Sequence, residues 1–214
     1  MTMRLRLMVS VLTLLVLVFF SANVVNAQTA ATQDNPKSKQ DDKPARKKAL
    51  EPIQVKVAKG NIQFTASGNW KSVPPLSNML EAELKIPSVD GDDADGRLTI
   101  MGAGGSIEAN IVRWQNQFVQ EDGSDTADKT KQEKQEIDGQ TVNLVDITGT
   151  FMDAVGGQFS GKPKVERKNY RMLAAIIQTE SEGNYFVKLY GPKSTIDKNA
   201  KRFKAMIKSL KVAD

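Results

Sequence analysis

The sequence predicts an α+β domain, an antiparallel β-sheet flanked by helices, after an export leader and a polar linker. Three observations carry this. Two alternating apolar runs, Ile53, Val55, Val57 and Ile62, Phe64, Ala66, flank Gly60-Asn61 as the arms of a β-hairpin do. Residues 170–179 (YRMLAAIIQT) form an apolar run of strand length, and residues 185–190 (YFVKLY) supply its hairpin partner. Residues 106–118 and 194–210 repeat apolar side chains at helical spacing instead.

The leader comes first. Arg4 and Arg6 form a positive start, residues 7–20 (LMVSVLTLLVLVFF) an apolar run, and residues 21–27 a more polar close ending in Val25-Asn26-Ala27. This is the layout of a signal peptide, residues 1–27, cut after Ala27. The run is short of the ~20 residues a spanning helix needs. The alternative is an uncleaved leader that tethers the protein to the membrane. Residues 28–50 (QTAATQDNPKSKQDDKPARKKAL) read as a disordered basic linker, because Leu50 is their only large aliphatic residue. Membrane contact through the leader or this basic linker is the one lipid-facing option they leave.

Residues 51–214 then read as a single α+β domain. The whole chain has 214 residues and a formal charge of +5, but leader and linker hold the excess, leaving 22 basic against 22 acidic residues. An electroneutral domain gains little from phosphate attraction, so no nucleic-acid partner is expected. The chain has neither His nor Cys. That excludes a Ser-His-Asp triad, a Cys nucleophile, imidazole or thiolate zinc sites and disulfides.

Element by element, the first hairpin leads through Trp70 to a Val73-Pro74-Pro75 loop. Leu80, Ala82, Leu84 and Ile86 alternate with Glu81, Glu83 and Lys85, a half-buried strand stopped by Pro87. Residues 90–96 (DGDDADG) fail the EF-hand register, since Ala94 and Met101 fall where ligands belong, and read as a solvated acidic loop with at most adventitious cation binding. After a strand at 97–101, Gly102-Ala103-Gly104-Gly105 fits neither the dinucleotide fingerprint nor the P-loop and reads as a turn into a helix. Ser106 is its N-cap, and Ile107, Ile111, Trp114 and Phe118 share one face.

Residues 119–140 read as a long polar loop closing on Asp138-Gly139. A strand follows at 141–148, then a second flexible loop at 152–168 and the apolar hairpin. The last element is an amphipathic helix with Ser194 and Asp197 as a capping box. Ile196, Ala200, Phe203, Ile207 and Leu210 form its apolar stripe, and Lys and Arg its outer face.

This order of elements, ending in Ile207-Lys208-Ser209-Leu210, resembles the PsbP-like α/β/α sandwich. Residues 104–118 (GGSIEANIVRWQNQF), 146–151 (DITGTF) and 170–173 (YRML) are similar to segments of uncharacterised exported bacterial proteins. The resemblance implies an accessory or binding module and brings no catalytic residues with it.

The sequence thus nominates no catalytic, cofactor-binding or metal residue. The expected function is an exported non-enzymatic accessory or binding module of the cell envelope, secreted or periplasmic, whose partner is an envelope protein or polymer. The rival is a carboxylate-dependent hydrolase drawing on Glu81, Glu83, Glu108 or Asp146. Asp146 interrupts an apolar run, and alternation puts it with Val142 and Leu144, opposite Val145 and Ile147. An edge position with an Arg or Lys partner would account for it.

The leader yields a direct test. N-terminal sequencing of the exported protein should give a mature chain starting at Gln28. Full-length chain in the membrane fraction would make the leader an anchor.

Overall fold

The structure is a computed structural model and describes residues 50–154 and 163–213. Residues 1–49, where the sequence reads as a signal peptide and a linker, and residues 155–162 of the 152–168 segment lie outside the described residues. Arg46–Asp214 forms one compact unit.

In chain order the strands are β1 (Ile53–Val57), β2 (Ile62–Ala66), β3 (Lys71–Val73), β4 (Ala82–Ile86) and β5 (Gly96–Gly102). Helix α1 (Ile107–Gln115), β6 (Phe118–Val119), α2 (Thr126–Lys129) and β7 (Lys131–Ile137) follow. The chain then runs through β8 (Gln140–Asp153), β9 (Val165–Thr179), β10 (Gly183–Pro192), α3 (Lys193–Lys208) and β11 (Lys211–Val212). The main sheet has the order β3-β4-β5-β10-β9-β8-β6, with β7 also paired to β8. A second sheet has the order β1-β2-β11. All the pairings are antiparallel, as expected.

The apolar run at 170–179 is a central strand covered on both faces, since Met172 to Ile177 are all buried. Odd-numbered side chains of β9 face α3 and the small sheet, packing with Phe64, Ile196, Phe203 and Ile207. Even-numbered ones face α1, packing with Ile111, Trp114, Phe118 and Phe186. Two cores therefore share one sheet, which is the sandwich the element order implied.

Helix α1 starts where Ser106 accepts the Ala109 amide at 3.1 Å, as the sequence indicates. It ends at Gln115, so Phe118 reaches the same core from β6, opposite Phe151, and not from the helical face. The 119–140 segment is not a loop. Asp125 caps α2, and β7 pairs with β8 along its whole length. The strand escaped notice because its sequence, KQEKQEI, has no apolar alternation; Ile137 is its only aliphatic residue. A charged edge strand with both faces wet needs none, and such charges discourage pairing with other chains. The 152–168 segment is also shorter as a loop, with β8 running to Asp153 and β9 starting at Val165.

The expected capping box on α3 does not form. Asp92, in the acidic 90–96 loop, accepts the Thr195 amide at 2.9 Å and the hydroxyls of Ser194 and Thr195. Its carboxylate lies at the positive end of the helix, where a negative charge is favoured. Burial would raise the Asp92 pKa, but these donors outweigh it and hold it below the usual carboxylate value. The acidic loop is thus tied down, not merely solvated. Trp70 donates its Nε1–H to Asn199 Oδ1 at 2.9 Å, a second fastening of α3. Beyond α3 the chain does not stop as a helix; Lys211 and Val212 pair with Gln63 and Ile62.

Trp114 is 2% exposed and meets Phe186 edge to face at a centroid distance of 5.3 Å. Trp114→Ala should lower stability by about 3–5 kcal/mol in chemical denaturation, the range for a buried large aromatic. Trp114→Phe should cost clearly less. A near-native midpoint for the Ala variant would remove Trp114 from the core.

Candidate ligand-binding groove

The four acids that a hydrolase would draw on are scattered. Glu81 accepts the Ala58 amide at 2.7 Å and the Tyr185 hydroxyl at 2.8 Å, which holds the hairpin turn where Ala58 has a φ of +53°. Burial first, then Glu81, pushes the Tyr185 hydroxyl up to about 12. Glu83, expected on a solvent face, is only 5% exposed. It takes Arg97 Nε at 2.7 Å and Nη2 at 3.0 Å, and this bidentate pair is what allows its burial. The Arg97 guanidinium outweighs burial and keeps the Glu83 carboxyl below its usual value. Glu108 is exposed in the first turn of α1.

Asp146 lies on the α3 side of β8, the side that alternation predicts. It is on an interior strand, between β7 and β9, and not at an edge. The basic partner is present: Arg171 of β9 donates Nε and Nη2 to its two oxygens at 2.9 and 2.7 Å. The third arm of Arg171, Nη1, donates to Asp197 of α3 at 2.6 Å, and Lys193 Nζ donates to the other Asp197 oxygen at 2.6 Å. Burial works to raise Asp197, but Lys193 and Arg171 prevail and hold it below the ordinary range. The same two acids raise the pKa of Arg171.

This network floors a groove of about 330 Å³, walled by Lys129 and Lys131 from the α2–β7 segment and by Lys193 and Asp197 from α3. Its lining has four cations against two carboxylates, and Arg171 spends all its arms on those two. Lys129 has a 3.3 Å contact with Asp122, both about half exposed, a pair worth little. Lys131 makes no ion pair among the described residues. The chain turns into this site through Gly149, with φ +148°, where a Cβ would come within 2.8 Å of Val119 O. A register shift in β8 follows between Gly149 and Phe151.

Sequence reasoning named Asp146 here but missed its partners. Arg171 was visible as a charge inside an apolar run, the same signal that drew attention to Asp146. Lys129, Lys131, Lys193 and Asp197 come together only through the fold. No group of three or more carboxylates that could hold a metal ion occurs among the described residues, and no helix there is long and apolar enough to cross a membrane.

A second unusual group lies on the α1 side. Lys188 interrupts the apolar run of β10 and places its ammonium between two rings, 5.5 Å from the centroid of Trp114 and 5.7 Å from that of Tyr190. Gln117 Oε1 accepts from it at 3.4 Å. No carboxylate pairs with it among the described residues. Burial, with Arg113 and Arg97 adding repulsion, lowers it to about 8.

No protein-family model matches the chain, and no curated protein matches it. Among solved structures the chain is similar to the cyanobacterial PsbP (CyanoP) of Synechocystis, with 12% identity, a TM-score of 0.46, and 76% of this chain and 93% of that one covered. It is also similar to the Ran-binding protein Mog1p of Saccharomyces cerevisiae, with 8% identity, a TM-score of 0.42, and coverage of 78% and 97%. A Mog1 point mutant matches equally, with 8% identity, a TM-score of 0.42, and coverage of 77% and 97%. These likenesses concern fold and bring no residue role or partner to this chain.

Lys188 supplies a pH test. Its folded pKa lies below the ordinary lysine value, so from about pH 8 to 10.5 the unfolded chain binds more protons than the folded one. Stability from this group therefore rises with pH across that window. Lys188→Met should be more stable than the parent at pH 7, by at most about 3 kcal/mol from the size of the shift and by less once its contacts with the Trp114 and Tyr190 rings are lost. The advantage should shrink towards zero as pH passes 10. Paired denaturation curves at pH 7 and pH 10 check this, and a pH-independent difference would contradict it.

Proposed function

We propose that the chain is an exported, non-enzymatic binding or accessory module of the cell envelope, and that the groove between α3 and β7–β8 receives its ligand. The signal-peptide layout of residues 1–27 supports export. The observation that carries the binding role is the division of charge in the groove. Arg171 and Lys193 neutralise Asp146 and Asp197, while Lys131 has no ion pair among the described residues and Lys129 only an exposed one with Asp122.

The hydrolase reading loses support on the same geometry. A general acid needs a raised pKa and a free oxygen near the scissile bond. Both oxygens of Asp146 are occupied by one guanidinium. Asp197 and Glu83 are held ionised. These carboxylates are built to fix cations in place.

Incubation with purified cell-envelope fractions tests the reading. The protein should be retained on a component of the fraction and release no soluble fragment. Lys129→Gln with Lys131→Gln should weaken retention. Release of new reducing ends or free amines that vanishes in Asp146→Asn would replace the module with the hydrolase.

A further inference from the structure

We infer that the groove takes a single-chain phospholipid, an amphiphile whose anionic group lies between one aliphatic chain and a polar head. This rests on the binding-module reading and names its ligand class. Two further cavities adjoin the cationic groove, on opposite sides. One, of about 310 Å³, shares Lys131 and Asp146 with it and is lined by Leu144, Leu173 and Phe203. The other, of about 550 Å³, shares Lys129, Thr148 and Lys193 with it and is lined by Gln120, Asn169 and Tyr170 and by the acids Glu121 and Asp122. The two outer cavities share no lining residue. The order along the surface is therefore apolar, cationic, polar.

Each part matches one part of the ligand. The apolar cavity lies between β8–β9 and α3, where an aliphatic chain would leave water against Leu144 and the stem of Lys204. The middle has Lys131, without an ion pair among the described residues, and Lys129, held only by an exposed contact with Asp122, beside a neutralised ion-pair network, so one phosphate would meet positive charge without displacing Arg171. The polar cavity offers side-chain amides, a phenol and the carboxylates of Glu121 and Asp122 to hydroxyl groups of a head, and those two acids disfavour a phosphate there. A free inorganic anion would use only the middle. A neutral surfactant would leave the lysines facing nothing. The three cavities together are lined by five cations and five carboxylates, so the excess of positive charge is confined to the middle one, where a phosphate would sit.

The test is calorimetric titration of the purified mature protein, below micelle-forming concentrations. The probes are short-chain lysophosphatidylglycerol, decyl phosphate, inorganic phosphate and decyl maltoside. Lysophosphatidylglycerol should bind tightest, decyl phosphate next, and the last two at least about tenfold more weakly than lysophosphatidylglycerol. Lys129→Gln with Lys131→Gln should weaken both phosphate-bearing amphiphiles about tenfold and leave decyl maltoside unchanged. Leu144→Gln should weaken every chain-bearing probe and leave inorganic phosphate unchanged; unaltered melting temperatures show that both variants fold. The inference is overturned if decyl maltoside matches lysophosphatidylglycerol, if inorganic phosphate matches decyl phosphate, or if neither variant moves any affinity. It also falls if no amphiphile binds at about 1 mM. In that case, lysine-dependent retention on envelope fractions would keep the module and discard the phospholipid, while loss of retention as well would discard both.

Discussion

Burial of β9 from both sides is the constraint to which the rest of the domain answers. From Met172 to Ile177 every side chain is buried, alternately against the α3 layer and the α1 layer. A strand covered twice must be apolar at both parities, and each of its neighbours must carry a helix-facing set in matching register. β8 and β10 supply those sets, and α1 and α3 exist to cover them. Where a charged residue enters this region, the structure has to answer it locally. Arg171 sits one residue outside the buried stretch and is answered by Asp146 and Asp197. Lys188 sits inside the α1 layer and is answered only by ring faces and an amide oxygen.

The two answers differ in consequence. The Arg171 network is only partly buried, with side-chain exposures of 20% for Arg171, 25% for Asp146 and 40% for Asp197, so water reaches it. Its charges are mutually satisfied and contribute order more than net stability. Lys188 has no opposite charge beside it among the described residues, and burial depresses its pKa. One network holds Lys193 in place beside a groove; the other leaves a cation against ring faces.

Much of the fold was legible because burial writes a period into the chain. The runs at 53–66, 170–179 and 185–190 and the stripe Ile196, Ala200, Phe203, Ile207 all lie where their periodicity puts them. The misses have a common physical origin: elements that bury little. β7 is wet on both faces and β11 is two residues long. Each is defined by its partner strand and not by its own composition. The α3 cap failed for the same kind of reason. Ser194 and Asp197 carry the local pattern, but Asp92 and Arg171, distant in sequence, compete for them. Of the site, Asp146 was readable as a charge in an apolar run, together with its face and the type of its partner. The lysines around it were not, since exposed lysines at 129, 131 and 193 leave no trace of their convergence in the sequence.

The join between β2 and β11 sets the order of assembly. Ser209 bonds to the Thr65 amide across 144 residues of chain, and Val212 pairs with Ile62. The first hairpin therefore cannot complete its sheet until residues 209–212 have joined it. Contacts of such long separation are slow to form, because the loop-closure entropy falls due before they are made. Until residues 209–212 dock, Ile62 and Phe64 stand beside an unpaired strand edge, the kind of template on which another chain can add a strand.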